Sequence, residues 1–492
     1  MTTAQSSLRR VMGSPWSMIL FFVIGTLATM PLSFFVFDND EGINVIKAVL
    51  MADGYPLYTQ TWSDQPPVFT QLLEWTFTLF GETMPVARLL VLAMSVLFIW
   101  AYTSTIRLHS GVMAAWAALL LLMLSDNFLR LSLSVMIGLP ALSLAMVAIY
   151  LLQLYKVRHR FWILLVAGVL MALAMQTKLM TVIVVPALAL DLVDYGQDWL
   201  GNRADFFTKA RQVVFLGLII VVVYGAVGLY YHAFDLDMLL SSHLGEQVQN
   251  AYADENSLGE LSNFLFYDYG HLLLALLGIF TVAVRRRQQG LLPLIWLVLA
   301  VVLLVNHRPI WYHHYQLVAI PLCWLAAYGV APVLEQRLSA TEAAQIEGAG
   351  SGRYRLVLGL IFLMMVGLIY VRSERTVPYY NLRDYDQEIV TLLQEYATQT
   401  QWVFSDRATY PFYAGLRVPP EIAVFSRKRF FGENLNNHIL LDVLQRYQPE
   451  QILLTRFKDD LLTDAEFAGY LDAHYTKIQE NPDYVYYRKT VN

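Results

Sequence analysis

Apolar residues along this chain run in long blocks rather than at a helical or strand period. The blocks are of the order of length a bilayer demands, roughly 17 to 23 residues for a helix crossing about 30 Å of hydrocarbon, though several are short. They centre on 16–37, 86–106, 111–125, 134–154, 161–176, 179–193, 212–231, 270–284, 291–305, 315–333 and 354–372, which predicts about eleven membrane-spanning helices. Beyond residue 372 the pattern changes. Residues 384–489 alternate helix-like stretches (DQEIVTLLQEYA, NNHILLDVLQRY) with short apolar runs (WVFSD, QILLTR, YVYYR), the mark of a small α/β domain. The expectation is an α-helical polytopic membrane domain over 1–372 followed by an α/β domain over 373–492.

Charge gives the blocks an orientation. With the amino terminus inside, the inner loops before the tail hold fifteen Lys or Arg, beginning with Arg9 and Arg10. The outer loops and outer span ends hold five: Lys47, Arg88, Arg130, Lys178 and Arg308. This asymmetry obeys the positive-inside rule, so the amino terminus is expected in the cytoplasm and the C-terminal domain outside. The first block is too long for a signal-peptide core and lacks a small-residue cleavage pattern, so it reads as an uncleaved span. Two long loops then face outward, 38–84 and 232–269, the second with seven acids and no Lys or Arg. The inner stretch 335–353 (EQRLSATEAAQIEGAGSGR) reads as a flexible linker.

Composition agrees with the blocks: 57% of the 492 residues are hydrophobic and 15% charged, against about 25% charged in soluble domains, with a mean hydropathy of +0.46. A net charge of −5 with no concentrated basic face gives nucleic acid nothing to bind. The single cysteine, Cys323, excludes disulfides and thiolate metal sites within one chain.

Polar groups that a purely structural span does not need collect at three outward places. Asp38, Asp40 and Glu41 stand where the first block ends, followed by DQPP at Asp64–Pro67, whose prolines break helix and turn the loop back toward the membrane. Lys178 interrupts two apolar runs; a lysine there also suits simple snorkelling to the interface. The stretch NHRPIWYHHY, residues 306–315, gathers His307, Arg308, His313 and His314 among aromatics that would alone make an aromatic belt. A carboxylate can take a proton from an acceptor hydroxyl, while Arg, Lys and His can stabilise an anionic leaving group. His313 and His314 are adjacent and would diverge on a helix, so no dedicated zinc site is expected.

This succession resembles the GT-C superfamily of integral-membrane glycosyltransferases, and within it the family 39-like branch of protein O-mannosyltransferases and lipid A aminoarabinose transferases. The resemblance rests on the acidic pair Asp40–Glu41, the double proline Pro66–Pro67, the Gly-containing span ending in Lys178 (GVLMALAMQTKLM), and a late outer loop with Arg308, Tyr312 and Tyr315 before Pro321. It departs where the family usually has Lys before the double proline, here Gln65, and where many members carry an acid near the position of Gly138; the nearest here is Asp126. The resemblance implies transfer of a sugar, with inversion, from a polyprenyl-phosphate carrier to a glycan, lipid or protein acceptor on the outer face of a prokaryotic cell membrane. Asp40 would be the general base and Glu41 its helper, and Lys178, Arg308, His313 and His314 would hold the donor phosphate. Asp38, Gln65, Asp126, Tyr312 and Tyr315 are further site candidates. This chemistry requires no cofactor; a divalent metal is neither needed nor ruled out by it. A secondary transporter or a lipid-linked glycan polymerase or ligase are the alternatives, the first disfavoured because the polar groups lie at outer span ends rather than at the midplane.

Overall fold

The computed structural model describes residues 13–193, 203–234, 252–284, 290–346, 384–431 and 434–490, with isolated positions besides. The membrane part is built from α1 (Pro15–Thr29), α2 (Asn39–Ala52), α3 (Val68–Phe80), α4 (Met84–Leu124), the single turn α5 (Phe128–Leu131), α6 (Gly138–Arg158) and α7 (Phe161–Met175). It continues with a 3-10 turn, Leu179–Ile183, leading into α8 (Val184–Leu192), then α9 (Arg203–Tyr230), α10 (Ser257–Tyr267), α11 (Tyr269–Val284), α12 (Leu291–Val305) and α13 (Gln316–Ile346). Among the described residues four helices are long and apolar enough to cross a bilayer. They become five when α10 and α11, bent by 87° at their junction, are taken as one span, and four shorter apolar helices accompany them.

The apolar blocks map onto these helices with three differences. The first helix ends at Thr29 rather than Phe37, because Pro31 offers no N–H and disfavours helix in the residue before it. Residues 30–37 then run without regular structure. α4, at 41 residues, would be about 60 Å long if straight, but Gly111 has φ 83° and ψ 178° and breaks it, so the expected spans 86–106 and 111–125 are two helices meeting at a kink. α13 continues to Ile346 through most of the expected linker, whose Glu, Gln, Arg and Ala residues favour helix. The span expected at 354–372, Arg9 and Arg10, and residues 235–249 of the acidic loop lie outside the described residues, apart from isolated positions in the span. The expected outer loop 38–84 holds α2 and α3, which the pattern of long apolar blocks did not reveal.

The C-terminal domain contains α14 (Asp384–Glu395), β1 (Val403–Ser405), α15 (Thr409–Tyr413), α16 (Arg427–Phe431), α17 (Asn437–Tyr447), β2 (Gln451–Leu454), α18 (Lys458–Leu462), α19 (Ala465–His474), β3 (Tyr475–Glu480) and β4 (Val485–Lys489). Its sheet runs β1-β2-β4-β3, with β1 parallel to β2 and the other pairs antiparallel. The three apolar runs read from sequence are β1, β2 and β4; β3, which buries little more than its first residue, carries no such run.

This domain is not tethered loosely. Val45, Val49, Phe69, Phe77 and Val91 of α2, α3 and α4 share one hydrophobic cluster with Trp402, Phe404, Phe412, Val418 and Ile422. Gly42 on α2 is pressed against α15: a Cβ there would lie 2.6 Å from the backbone N of Thr409. Arg417 reaches across to Asp53 at 2.5 Å and Glu82 at 2.9 Å, and the Tyr413 ring stacks on Phe35 at 4.4 Å.

Candidate active site

The irregular segment 30–37 sets where the acidic residues stand. Its carbonyls would be orphaned in a dry interior, and two buried arginines satisfy them. Arg88 donates to Leu32 O at 2.9 Å, Phe35 O at 3.3 Å and Phe34 O, and its guanidinium lies 4.4 Å from the centre of the Phe37 ring. Arg130, in α5, donates to Phe37 O at 2.9 Å. Asp38 then caps α2, its Oδ1 accepting from Asp40 N at 2.8 Å, while its Oδ2 lies 3.5 Å from Arg130 Nη2 and accepts from the Tyr312 hydroxyl. Arg130 stacks on the Tyr312 ring at 4.1 Å. Asp38, Arg130 and Tyr312 thus lock the start of α2 to the turn Tyr312–His314.

Glu41 takes a different place from the one expected. It is fully buried, with Oε2 2.8 Å from Arg88 Nη2 and accepting from Phe37 N at 2.7 Å, and Oε1 accepting from Arg88 Nε at 3.2 Å and Val135 N at 2.9 Å. Both oxygens are taken up by protein donors, the arrangement of a brace for the fold.

Asp40, one residue earlier in the first turn of α2, is half-buried. Burial, then Asp38 and Asp64, push its carboxyl up to about 7, against the opposing pull of Arg456 and Lys178. Lys47, further along α2 and 1% exposed, is held below the usual lysine range by burial, with Asp64 and Asp40 pulling the other way. Lys47 and Arg456 are therefore site neighbours that motif reading passed over, and Asp64, noted only as part of the DQPP stretch, joins them. Lys47 stands about two turns after Asp40 on the same helix, whereas Arg456 gave no local signal because its proximity is tertiary.

The double-proline loop is tied to the Lys178 junction: Val68 N donates to Gln176 O at 3.1 Å. The Gln65 carbonyl accepts from the Tyr58 hydroxyl at 2.7 Å and from Ser63 Oγ at 3.1 Å. Lys178 precedes the 3-10 turn after α7. Its charge acts on Asp40, His313 and His314, and a Cβ on Gly138 would lie 3.7 Å from its Nζ. The rings of His313 and His314 are 4.4 Å apart and that of His307 is 5.3 Å from His314.

Arg308 does not join this group. It is exposed and donates to Ala253 O at 3.3 Å; the cations acting on Asp40 are Arg456 and Lys178. Asp126 and Tyr315 also lie apart, around Asp268. The Asp268 carboxylate, 1% exposed in the elbow between α10 and α11, accepts from Ser125 Oγ at 2.9 Å, Tyr315 OH at 3.0 Å and Asp126 N at 3.3 Å. The Asp126 carboxylate accepts from Asn127 Nδ2 at 2.6 Å. Among the described residues no group of three or more His, Cys, Asp or Glu is placed to hold a metal ion.

Residues 64–231 match the family model described as dolichyl-phosphate-mannose-protein mannosyltransferase, a stretch that includes the double proline and Lys178 and begins after Asp40. No curated protein matches the sequence. Among solved structures, ArnT from Cupriavidus metallidurans bound to undecaprenyl phosphate matches with TM-score 0.62 at 14% identity, covering 96% of this chain and 97% of that one. The apo form of the same protein gives 0.63 at 15% identity, covering 96% of each. The archaeal oligosaccharyltransferase AglB from Archaeoglobus fulgidus, in complex with an inhibitory peptide and a dolichol-phosphate, gives 0.59 at 13% identity, covering 90% of this chain and 70% of that one. With its helical membrane part and its small C-terminal sheet domain, this chain has the fold of the GT-C membrane glycosyltransferases.

Proposed function

We propose that this protein transfers a sugar from a polyprenyl-phosphate-linked donor to an acceptor hydroxyl at the outer face of the cell membrane, inverting the anomeric carbon. Asp40 takes the proton from the hydroxyl as its oxygen attacks, and the bond from the anomeric carbon to the phosphate oxygen breaks on the opposite side. Polyprenyl phosphate leaves with its charge facing Lys178, assisted by His313 and His314. The acceptor is a glycan, a lipid or a protein.

The observation that carries this reading is that the charge of Lys178 acts on Asp40 and also on His313 and His314. A general base works best when its pKa lies near the working pH, and burial, with crowding by Asp38 and Asp64, lifts the Asp40 carboxyl toward that range. Lys178 bears electrostatically on Asp40 and on both histidines, which supports one ammonium serving both the base and the leaving group. The family match over 64–231 and the likeness to proteins solved with undecaprenyl phosphate or dolichol-phosphate agree with a lipid-linked donor.

The test is acceptor-dependent release of polyprenyl phosphate from a radiolabelled polyprenyl-phosphate-sugar by the purified protein and its Asp40→Asn variant. Losing a positioned base costs about a hundred- to ten-thousand-fold. The variant is expected to melt like the parent and to turn over at that reduced rate; parental turnover would remove Asp40 from the mechanism.

A further inference from the structure

One short helix of the C-terminal domain grips the chain on both sides of the candidate base. The end of α15 meets residue 35 and its start meets residue 42, and the stretch between them carries Asp38 and Asp40. At residue 35 the Tyr413 ring lies 4.4 Å from that of Phe35, the two planes 17° apart, and the Tyr413 hydroxyl donates to the Phe35 carbonyl at 2.5 Å. Phe35 is buried in a cluster whose other buried members, among them Val403, Tyr410 and Leu453, all belong to the C-terminal domain. The membrane part thus inserts Phe35 as a plug into that domain's own core.

At residue 42 the fit leaves no room for a side chain. A Cβ on Gly42 would stand 2.6 Å from the backbone N of Thr409 and 2.8 Å from its Cα, and Thr409 is itself fully buried. Gly42 follows Asp40 by two residues, about 200° around the helix, so α15 backs the side of α2 turned away from Asp40. Residue 35 matters because segment 30–37 has no helix or strand to hold it. Its carbonyl is shared by two donors, Tyr413 and Arg88 Nη2 at 3.3 Å, and Arg88 also pairs with Glu41 in the first turn of α2. Fixing residue 35 from the C-terminal domain therefore fixes the approach to Asp38, which caps that turn. The ion pairs of Arg417 with Asp53 and Glu82 join the same two parts of the molecule, but beyond the far end of α2.

We propose that Tyr413 is a positioning residue for the candidate base: α15 clasps residues 35–42, Tyr413 by hydrogen bond and ring stack and Thr409 by contact with Gly42, and so sets where Asp40 stands. This rests on the reading of Asp40 as the base. A base must lie within hydrogen-bond reach of the proton it takes, and a misplacement of about 1 Å can cost turnover about a hundredfold. The C-terminal domain then governs the rate through the geometry of a carboxylate it does not itself supply.

The experiment compares the full-length parent with Tyr413→Phe, which keeps the ring and removes only the hydroxyl, and with Arg417→Gln, which loosens the same docking away from residues 35–42. Dicyclohexylcarbodiimide, which reacts with protonated carboxyls, is applied across a pH series, and labelling of Asp40 is read by peptide mass spectrometry beside a thermal melt. Burial is the largest influence raising the Asp40 carboxyl, so a loosened first turn admits water and brings the labelling midpoint down. Tyr413→Phe is expected to melt like the parent and to show that lower midpoint. On the radiolabelled polyprenyl-phosphate-sugar used to test Asp40, its kcat should fall about two- to tenfold, the scale of one lost neutral hydrogen bond, with donor KM unchanged. Arg417→Gln should match the parent in midpoint and kcat. A midpoint in Tyr413→Phe that stays or rises, or a parental kcat, overturns the inference and leaves the base reading standing. Equal changes in Arg417→Gln assign the contact to docking alone and also overturn it. Parental turnover by Asp40→Asn removes the base, and this inference with it, whatever the labelling shows.

Discussion

Glu41 separates a catalytic from a structural reading of the acidic pair, and Glu41→Gln is the change that decides. The substitution keeps size and shape but removes the negative charge that faces Arg88, both side chains being fully buried. Breaking a buried ion pair by removing one partner costs about 3–5 kcal/mol, because the other charge stays in a low dielectric without compensation. Arg88 retains the carbonyls of Leu32, Phe34 and Phe35, which places the expected cost at the low end, about 3 kcal/mol. A second penalty arises where the new amide presents N–H to Phe37 N or Val135 N, both donors that Glu41 now accepts from. A thermal melt of the detergent-solubilised variant should therefore fall clearly below the parent. The fraction that remains folded should turn over donor at a rate much closer to the parent than Asp40→Asn does. If Glu41→Gln melts with the parent and yet loses turnover as Asp40→Asn does, the carboxylate acts on substrate and the bracing role is wrong.

Asp40 must be ionised to accept a proton, and its carboxyl sits at about 7, so kcat/KM should fall as pH drops through that value. Because Lys178 lowers the Asp40 pKa, Lys178→Met should move the profile to higher pH as well as reduce the rate; an unmoved profile would detach the two groups. Gly42→Val places a side chain against Thr409, where even a Cβ would be 2.3 Å from Oγ1. The expected result is faster proteolysis at the junction between the membrane part and the C-terminal domain, and an unchanged digestion pattern would contradict the close packing of α2 on α15.

What the sequence made legible followed from local pattern. Apolar runs marked most of the membrane helices, although the first was carried past Pro31, where α1 stops, and the runs WVFSD, QILLTR and YVYYR marked three of the four strands. Asp38, Asp40 and Lys178 were visible because charges are rare in such a chain. The rest depended on contacts between distant positions. Glu41 looked like the partner of Asp40 until Arg88, 47 residues on, claimed it. Arg308 was the only arginine in its loop, but the loop turns it outward toward Ala253. Asp126 and Tyr315 converge on Asp268, which no motif distinguished from the six other acids of its loop. Arg130 entered only as one of the outer cations, since what matters about it is a ring and a carboxylate supplied by other elements.

The shared core of α2, α3 and the C-terminal domain bears on the order in which the molecule comes into being. Val45 and Val49 leave the ribosome within the first tenth of translation, while Phe404, Phe412 and Ile422, which pack in the same cluster, follow more than 350 residues later. Throughout that interval α2 has cover only from residues of the membrane part, such as Phe69, Phe77 and Val91 of α3 and α4. A chain that stops within the membrane part therefore lacks the C-terminal half of this cluster, and α2 then packs only against the membrane helices that share it.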